Sequence, residues 1–184
     1  MEYPLNDTWT LYFHAKDTNK KYNDNTSKVI DISTIADFWG TFNNFPKPLE
    51  MFSEYGKTKI VKRTNETPGA LSFFRKNSYP TWEHESNTNG FEWSFRKYKD
   101  FEDTNTLWEK LLLTVVSENF EHADIINGIR IVDCSVDYRI TYRIEVWLSD
   151  KNYKEFFDTK IKQILEVPQF IKLLYRDHST LKEK

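Results

Sequence analysis

Trp82-Glu83 sets an aromatic ring beside a carboxylate in the stretch Ser78-Tyr79-Pro80-Thr81-Trp82-Glu83-His84-Glu85. Pro80 fixes its own φ and biases Tyr79 toward extended backbone, so the stretch reads as a strand exit or turn that carries Trp82 outward, not as a helix. A second ring, Tyr22, stands between Lys21 and Asn23 in the polar run from Lys16 to Asn25, and Arg139 and Arg143 lie at or near a later hairpin tip. Two flat rings on separate loops can hold a planar base between them, a contact worth about 1–3 kcal/mol per base and more when the base is cationic. A carboxylate at the rim can accept two hydrogen bonds at once, and guanine offers the matching pair of donors, N1–H and the exocyclic amine. A guanine made cationic by N7-methylation would satisfy both rings and acid, with its phosphates met by nearby basic residues. Taken alone, Trp82 also reads as closing a core with Glu83 solvated, the usual fate of a large aromatic.

The bulk composition narrows the chemistry. A chain of 184 residues fits one domain, 1–184, with a sizeable core. Aromatic residues make up 16% of it, more flat surface than a core of this size needs. A net charge of -2 supplies no basic field, so general DNA binding is excluded and any nucleic-acid contact must be local. The single cysteine, Cys134, rules out an intrachain disulfide framework and a cysteine-based zinc cluster and suits a reducing compartment. No basic leader precedes an apolar core and no run approaches a membrane span, which points to a cytoplasmic or nucleocytoplasmic protein with no membrane partner. Glu83-His84-Glu85 is a poor metal site, because adjacent residues in an extended loop point to alternating sides, and His14, His122 and His178 lack ligand spacing. There is no Gly-rich phosphate loop, no elbow serine and no paired acid array of the kind a phosphoester hydrolase needs. The expectation is a non-enzymatic binding protein with no metal and no cofactor.

These side chains need a scaffold. Trp9, Leu11 and Phe13 alternate with Thr10, Tyr12 and His14 as a half-buried strand, and Lys28 to Ile32 forms a second. Ser33 or Thr34 caps a helix bearing Ile35, Phe38, Trp39 and Phe42. Residues 46–70, with two prolines near the start and the Lys57 to Arg63 charge run, read as a surface insertion whose charges form a solvated face. Strands over Leu71 to Arg75 and Phe91 to Arg96 flank the Trp82 loop and are expected to be neighbours. Asp103 or Thr104 caps a long helix with Leu107, Trp108, Leu111, Leu112 and Val115 on its buried stripe. A hairpin follows over Gly128 to Val136 and Tyr142 to Leu148, then a helix marked by Tyr153, Phe156, Phe157, Ile161 and Ile164, a last strand over Phe170 to Tyr175, and a polar tail, 176–184. Trp9, Trp93 and Trp108 are assigned to packing. The sum is an α+β domain: a single curved, largely antiparallel sheet with about three helices on its convex face and the ligand site on the concave side.

Several motifs occur in a specific order: Tyr3-Pro4-Leu5 with Trp9, Asp37-Phe38-Trp39, Pro80-Thr81-Trp82-Glu83-His84-Glu85, Trp93, Leu107-Trp108-Glu109-Lys110-Leu111-Leu112, Ser117-Glu118-Asn119-Phe120 and Ile144-Glu145-Val146-Trp147. In that order, from about Tyr3 to His178, the chain resembles the eukaryotic translation initiation factor 4E family, which binds the messenger-RNA cap. The resemblance implies binding of 7-methylguanosine in translation initiation or its regulation. Trp82 and Tyr22 then match the stacking pair, Glu83 the acid on the guanine edge, Trp147 the ring on the N7-methyl, and Arg143 a phosphate-binding position. Arg139 is a looser match in a longer hairpin, and Cys134 falls near an expected arginine. Tyr22 stands where most members carry tryptophan, a change shared with a divergent class sometimes associated with translational repression. Tyr3, Pro4, Ile35, Trp39 and Leu113 match the convex surface on which a scaffold or inhibitor protein docks a helix. Glu109 stands there in place of a leucine and Lys110 in place of an acid, which disfavours the usual peptide. A general single-stranded RNA binder is the other reading, and it predicts equal affinity for capped and uncapped RNA.

Overall fold

The alternation that begins at Trp9 continues through the central strands, whose core-facing rows are buried under the helices. The computed structural model describes residues 3–54, 57–58, 66–98, 101–136, 140–167 and 172–181. In chain order, the elements are β1 (Pro4–Ala15), β2 (Thr26–Thr34), α1 (Ile35–Asn44), α2 (Pro48–Phe52), the two-residue strands β3 (Ser53–Glu54) and β4 (Lys57–Thr58), β5 (Pro68–Arg75), β6 (Phe91–Tyr98), α3 (Phe101–Ser117), β7 (Ile126–Asp133), β8 (Thr141–Leu148), α4 (Lys154–Ile164) and β9 (Leu174–Asp177). Seven strands form one antiparallel sheet in the order β2-β1-β5-β7-β8-β6-β9, while β3 and β4 pair with each other.

The core lies between the sheet and α1, α2, α3 and α4. Trp9 stacks on Phe73 with ring centroids 5.0 Å apart, and Ile129, Ile131, Ile144 and Val146 continue the layer. Leu107, Trp108, Leu111, Leu112 and Val115 of α3 are buried against it, as is Trp93. Burial of such side chains, about 1.5–3 kcal/mol each, is what holds the helices on the sheet. Thr34 opens α1 with a capping box: its hydroxyl accepts from the Asp37 N–H and the Asp37 carboxylate accepts from the Thr34 N–H.

Four expectations need correction. The Trp82 loop does not join neighbouring strands, because the β7-β8 hairpin lies between β5 and β6. Alternation reports which face a residue takes but not which strand lies alongside. The start of the 46–70 segment is core, not surface: Pro48, Met51 and Phe52 of α2 are buried, and Phe52 stacks on Tyr142 at 5.7 Å. Pro48 suits the first turn of a helix, where its missing N–H has no partner to lose. The last strand lies at Leu174–Asp177, shifted toward the C-terminus of the expected one, whose Phe170 and Ile171 fall outside the described residues. Arg176 and Asp177 therefore belong to the sheet and His178 is buried, so the tail does not begin at 176.

Candidate functional site

The register of the central strands aligns the site. Gly128 pairs with Trp147, Arg130 with Glu145 and Val132 with Arg143, while Glu92 of β6 faces Trp147 from the other side. The intervening Ile129, Ile131, Ile144 and Val146 point into the core, so this second row faces away from the helices. Gly128 is required here, since a Cβ would run into the ring of Phe74. Phe74 thereby packs edge-on to Trp147 at 5.3 Å.

Trp147 is held on every side. Its Nε1–H donates to Glu145 Oε2 at 2.9 Å, and the His178 ring lies 4.7 Å away. Only 1% of it is exposed, enough to form part of a cavity wall. Glu145 Oε1 accepts from Arg143 Nε at 2.6 Å, and Arg130 Nη1 stands 3.7 Å from Oε2. Behind Trp147, burial opposes the ionisation of Glu92, but His178 and Arg176 hold its carboxyl below the usual range; Arg176 Nη1 lies 3.2 Å from Oε1.

The two loops close over this floor. Tyr22 follows the end of β1, with its ring 4.5 Å from His14 and 5.4 Å from the Arg130 guanidinium, and its hydroxyl donates to the Pro80 carbonyl at 2.8 Å. Burial raises the Tyr22 phenol above its ordinary value, with Arg130 opposing the shift. Burial, aided by the charge of Arg130, lowers His14 from 6.5 to about 4. Trp82 rides on a loop organised by Asn87, a fully buried side chain whose Nδ2 donates to the carbonyls of Tyr79 and Thr81 at 2.7 and 2.8 Å. Asn127 Nδ2 reaches Asn87 Oδ1 at 2.9 Å, and His178 Nδ1 donates to the Asn87 carbonyl, also at 2.9 Å. The Arg176 guanidinium lies 5.6 Å from the Trp82 ring.

Tyr22, Trp82, Glu83 and Trp147, far apart in sequence, thus meet at one cavity of about 630 Å³, with Lys21, Asp24 and Arg130 also in its wall. Glu83 is exposed at the rim. Arg143 shares the face but lies outside that wall, its guanidinium bonded to Glu145. Arg139 lies outside the described residues. On the opposite side, Tyr3, Pro4, Ile35 and Trp39 are exposed and Leu113 half-buried, with the Ile35 N–H donating to the Tyr3 carbonyl at 2.9 Å. Lys110 is paired with Glu166 at 2.7 Å.

Sequence reasoning missed Arg130, Glu145, Asn87 and His178. The first two were within reach: with Ile129 and Ile131 in the core, alternation sends Arg130 to the site face, and its partner Glu145 follows from the hairpin. Asn87 and His178 carry no local pattern.

Comparison with known proteins gives one family. The profile described as Eukaryotic initiation factor 4E matches residues 4–184. The chain is 28% identical to eukaryotic translation initiation factor 4E1 of Drosophila melanogaster over 84% of its length, and spans about half (53%) of that protein. It is 28% identical to eukaryotic translation initiation factor 4E of Candida albicans, covering 96% of this chain and 80% of the relative. Among solved structures, the complex of Caenorhabditis elegans eIF4E-3 with the 4E-binding protein Mextli and cap analog superposes with a TM-score of 0.76 at 23% identity, covering 97% of this chain and 94% of that one, a likeness of fold. The matched profile takes in all seven strands of the sheet and both loops over the cavity: the chain belongs to the eukaryotic initiation factor 4E family.

Proposed function

We propose that the protein binds the 7-methylguanosine 5′ cap of messenger RNA and acts in the cytoplasm, without catalysing a reaction, in translation initiation or its regulation. One observation carries this reading: two aromatic rings on separate loops, with an exposed carboxylate next to one of them, line a single cavity with the buried indole of Trp147. Tyr22 and Trp82 stack the base, Glu83 accepts from N1–H and the exocyclic amine, and Trp147 lies against the N7-methyl. The methylated base is cationic, so ring faces favour it over guanine. Hydrogen bonding holds the plates before a ligand arrives, Trp147 through Glu145 and the Trp82 loop through Asn87, which lowers the ordering cost of binding. Solved relatives support the reading, since the Caenorhabditis elegans and Ascaris suum proteins are described as complexes with a cap analog and with m7G cap.

We assign the opposite face, with Tyr3, Pro4, Ile35, Trp39 and Leu113, to a scaffold or inhibitor protein that docks an amphipathic helix. The described complexes with Mextli and with 4E-BP support a partner of that class. The Lys110–Glu166 pair presents that partner with a zwitterion in place of a single charge, so it selects an altered peptide.

The test is tryptophan fluorescence titration with 7-methylguanosine triphosphate and with guanosine triphosphate, alongside retention on immobilised cap. Trp82→Ala should abolish retention and Glu83→Ala should remove preference for guanine. Retention unchanged by both substitutions overturns the assignment. Equal affinity for capped and uncapped RNA favours a general single-strand binder, and release of methylated nucleotide from a capped dinucleotide at a catalytic rate favours a hydrolase.

A further inference from the structure

Arg130 is the cation built into the floor of the cavity. Only 7% of it is exposed, it forms part of the wall beside Tyr22 and Trp147, and its Nε–H is buried with no hydrogen-bond partner among the described residues. A guanidinium so placed has given up water and needs an acceptor in return. The neighbouring carboxylate only partly meets that need. Glu145 stands 3.7 Å from Nη1, beyond hydrogen-bond reach, while its two oxygens are engaged by Arg143 at 2.6 Å and by the Trp147 indole at 2.9 Å. Of the two arginines beside this carboxylate, Arg143 takes its hydrogen bond and Arg130 retains donors for a ligand.

Position along the sheet identifies the part of the ligand that reaches it. Trp147 pairs with Gly128, and Arg130 lies two residues further along the same strand face, about 7 Å away. A base seated against Trp147 therefore leaves Arg130 at the distance of the groups beyond the sugar. We propose that Arg130 is the residue that receives the phosphate chain of the bound nucleotide, with Arg143 acting through Glu145 as a positioning residue. This assignment rests on reading the cavity as a site for methylated guanine nucleotide, and it moves the phosphate contact from the hairpin tip to the cavity floor. Charge-assisted hydrogen bonds from a planar guanidinium to phosphate oxygens are short and bidentate, and they reward the geometry of arginine over lysine.

The experiment compares ligands that differ only in phosphate. Affinities of the full chain and of Arg130→Gln and Arg130→Lys are measured by tryptophan fluorescence for N7-methylguanosine and for its mono-, di- and triphosphate, at two salt concentrations. The readout is the ratio of triphosphate to nucleoside affinity, which a partly unfolded preparation does not alter. In Arg130→Gln that ratio should fall about ten-fold or more, the scale of a lost charged hydrogen bond, with nucleoside affinity retained and the salt slope reduced by about one. Arg130→Lys should recover part of the loss. A ratio unchanged in both variants, or an equal loss for nucleoside and triphosphate, overturns the proposal and leaves Arg130 as a prop for the Tyr22 ring. If the unaltered chain binds no methylated guanine ligand, the cap reading fails. Inorganic tripolyphosphate then decides separately: Arg130-dependent binding retains the anion site, and no binding removes it as well.

Discussion

Glu145 shows how much one side chain can arrange: its carboxylate fixes the indole of Trp147, occupies Arg143 and lies between two arginines at the centre of the sheet. Buried ionic groups of this kind add little net stability, and here the carboxylate fixes the orientation of an indole in the cavity wall. Burial, with the Arg130 charge beside it, acts on His14, whose ring is 2.8 Å from Thr26 Oγ1 and is kept neutral in the folded chain. Its value falls from 6.5 to about 4, so between those limits the unfolded chain binds a proton that the folded chain does not. The stability contributed by His14 is complete above pH 6.5 and is lost as pH falls toward 4. Guanidinium denaturation midpoints should therefore drop over that window, with a shallower slope in His14→Gln; identical slopes refute the linkage. Tyr22 and Trp82 were legible at this scale as rings set in polar loops, and both line the cavity. Arg130 was readable only through the face that alternation assigns it.

At the level of elements, the loop between β5 and β6 is the one whose conformation matters most and shows least in the sequence. Its shape comes from Asn87, which ties two loop carbonyls to Asn127 and, through its own carbonyl, to His178. Two of those partners, Asn127 and His178, lie 40 and 91 residues away and leave no periodic trace. Asn87→Ala should strand the Asn127 amide and those carbonyls, costing about 1–3 kcal/mol in chemical denaturation. Cap-analogue affinity should fall further, by about ten-fold, since Trp82 is then free to leave its place in the cavity wall. A variant as tight as the parent would show that Trp82 needs no such support. The helices behave oppositely. α1 and α3 were legible from capping and from apolar residues at helical spacing, while α2 was hidden by Pro48, whose place at a helix start is easily taken for a turn.

Across the whole molecule, the sheet separates two surfaces. The cavity opens on one face, and Trp39, 43% exposed on α1, stands on the other among Phe38 and Phe42. They lie on opposite sides of the sheet and share no lining residue, so they should respond to mutation independently. Trp39→Ala should leave methylguanine affinity and thermal stability near the parent values while weakening capture of an amphipathic helix by about ten-fold or more in a pull-down with tyrosine- and leucine-bearing peptides. Loss of nucleotide binding in that variant would place Trp39 in the fold instead. The sequence by itself determined the fold class, the packing tryptophans and which rings and acid from the two loops line the cavity, because side-chain period, ring chemistry and motif order are properties of the chain alone. The tertiary structure alone decided which strands are neighbours, that the 76–90 loop spans the β7-β8 hairpin, that His178 and Asn87 support the Trp82 loop, and that Glu145 bonds Arg143 while Arg130 stands 3.7 Å away. Those outcomes depend on pairings between distant residues, and hydrogen bonds across a sheet leave no local signal in the residues that make them.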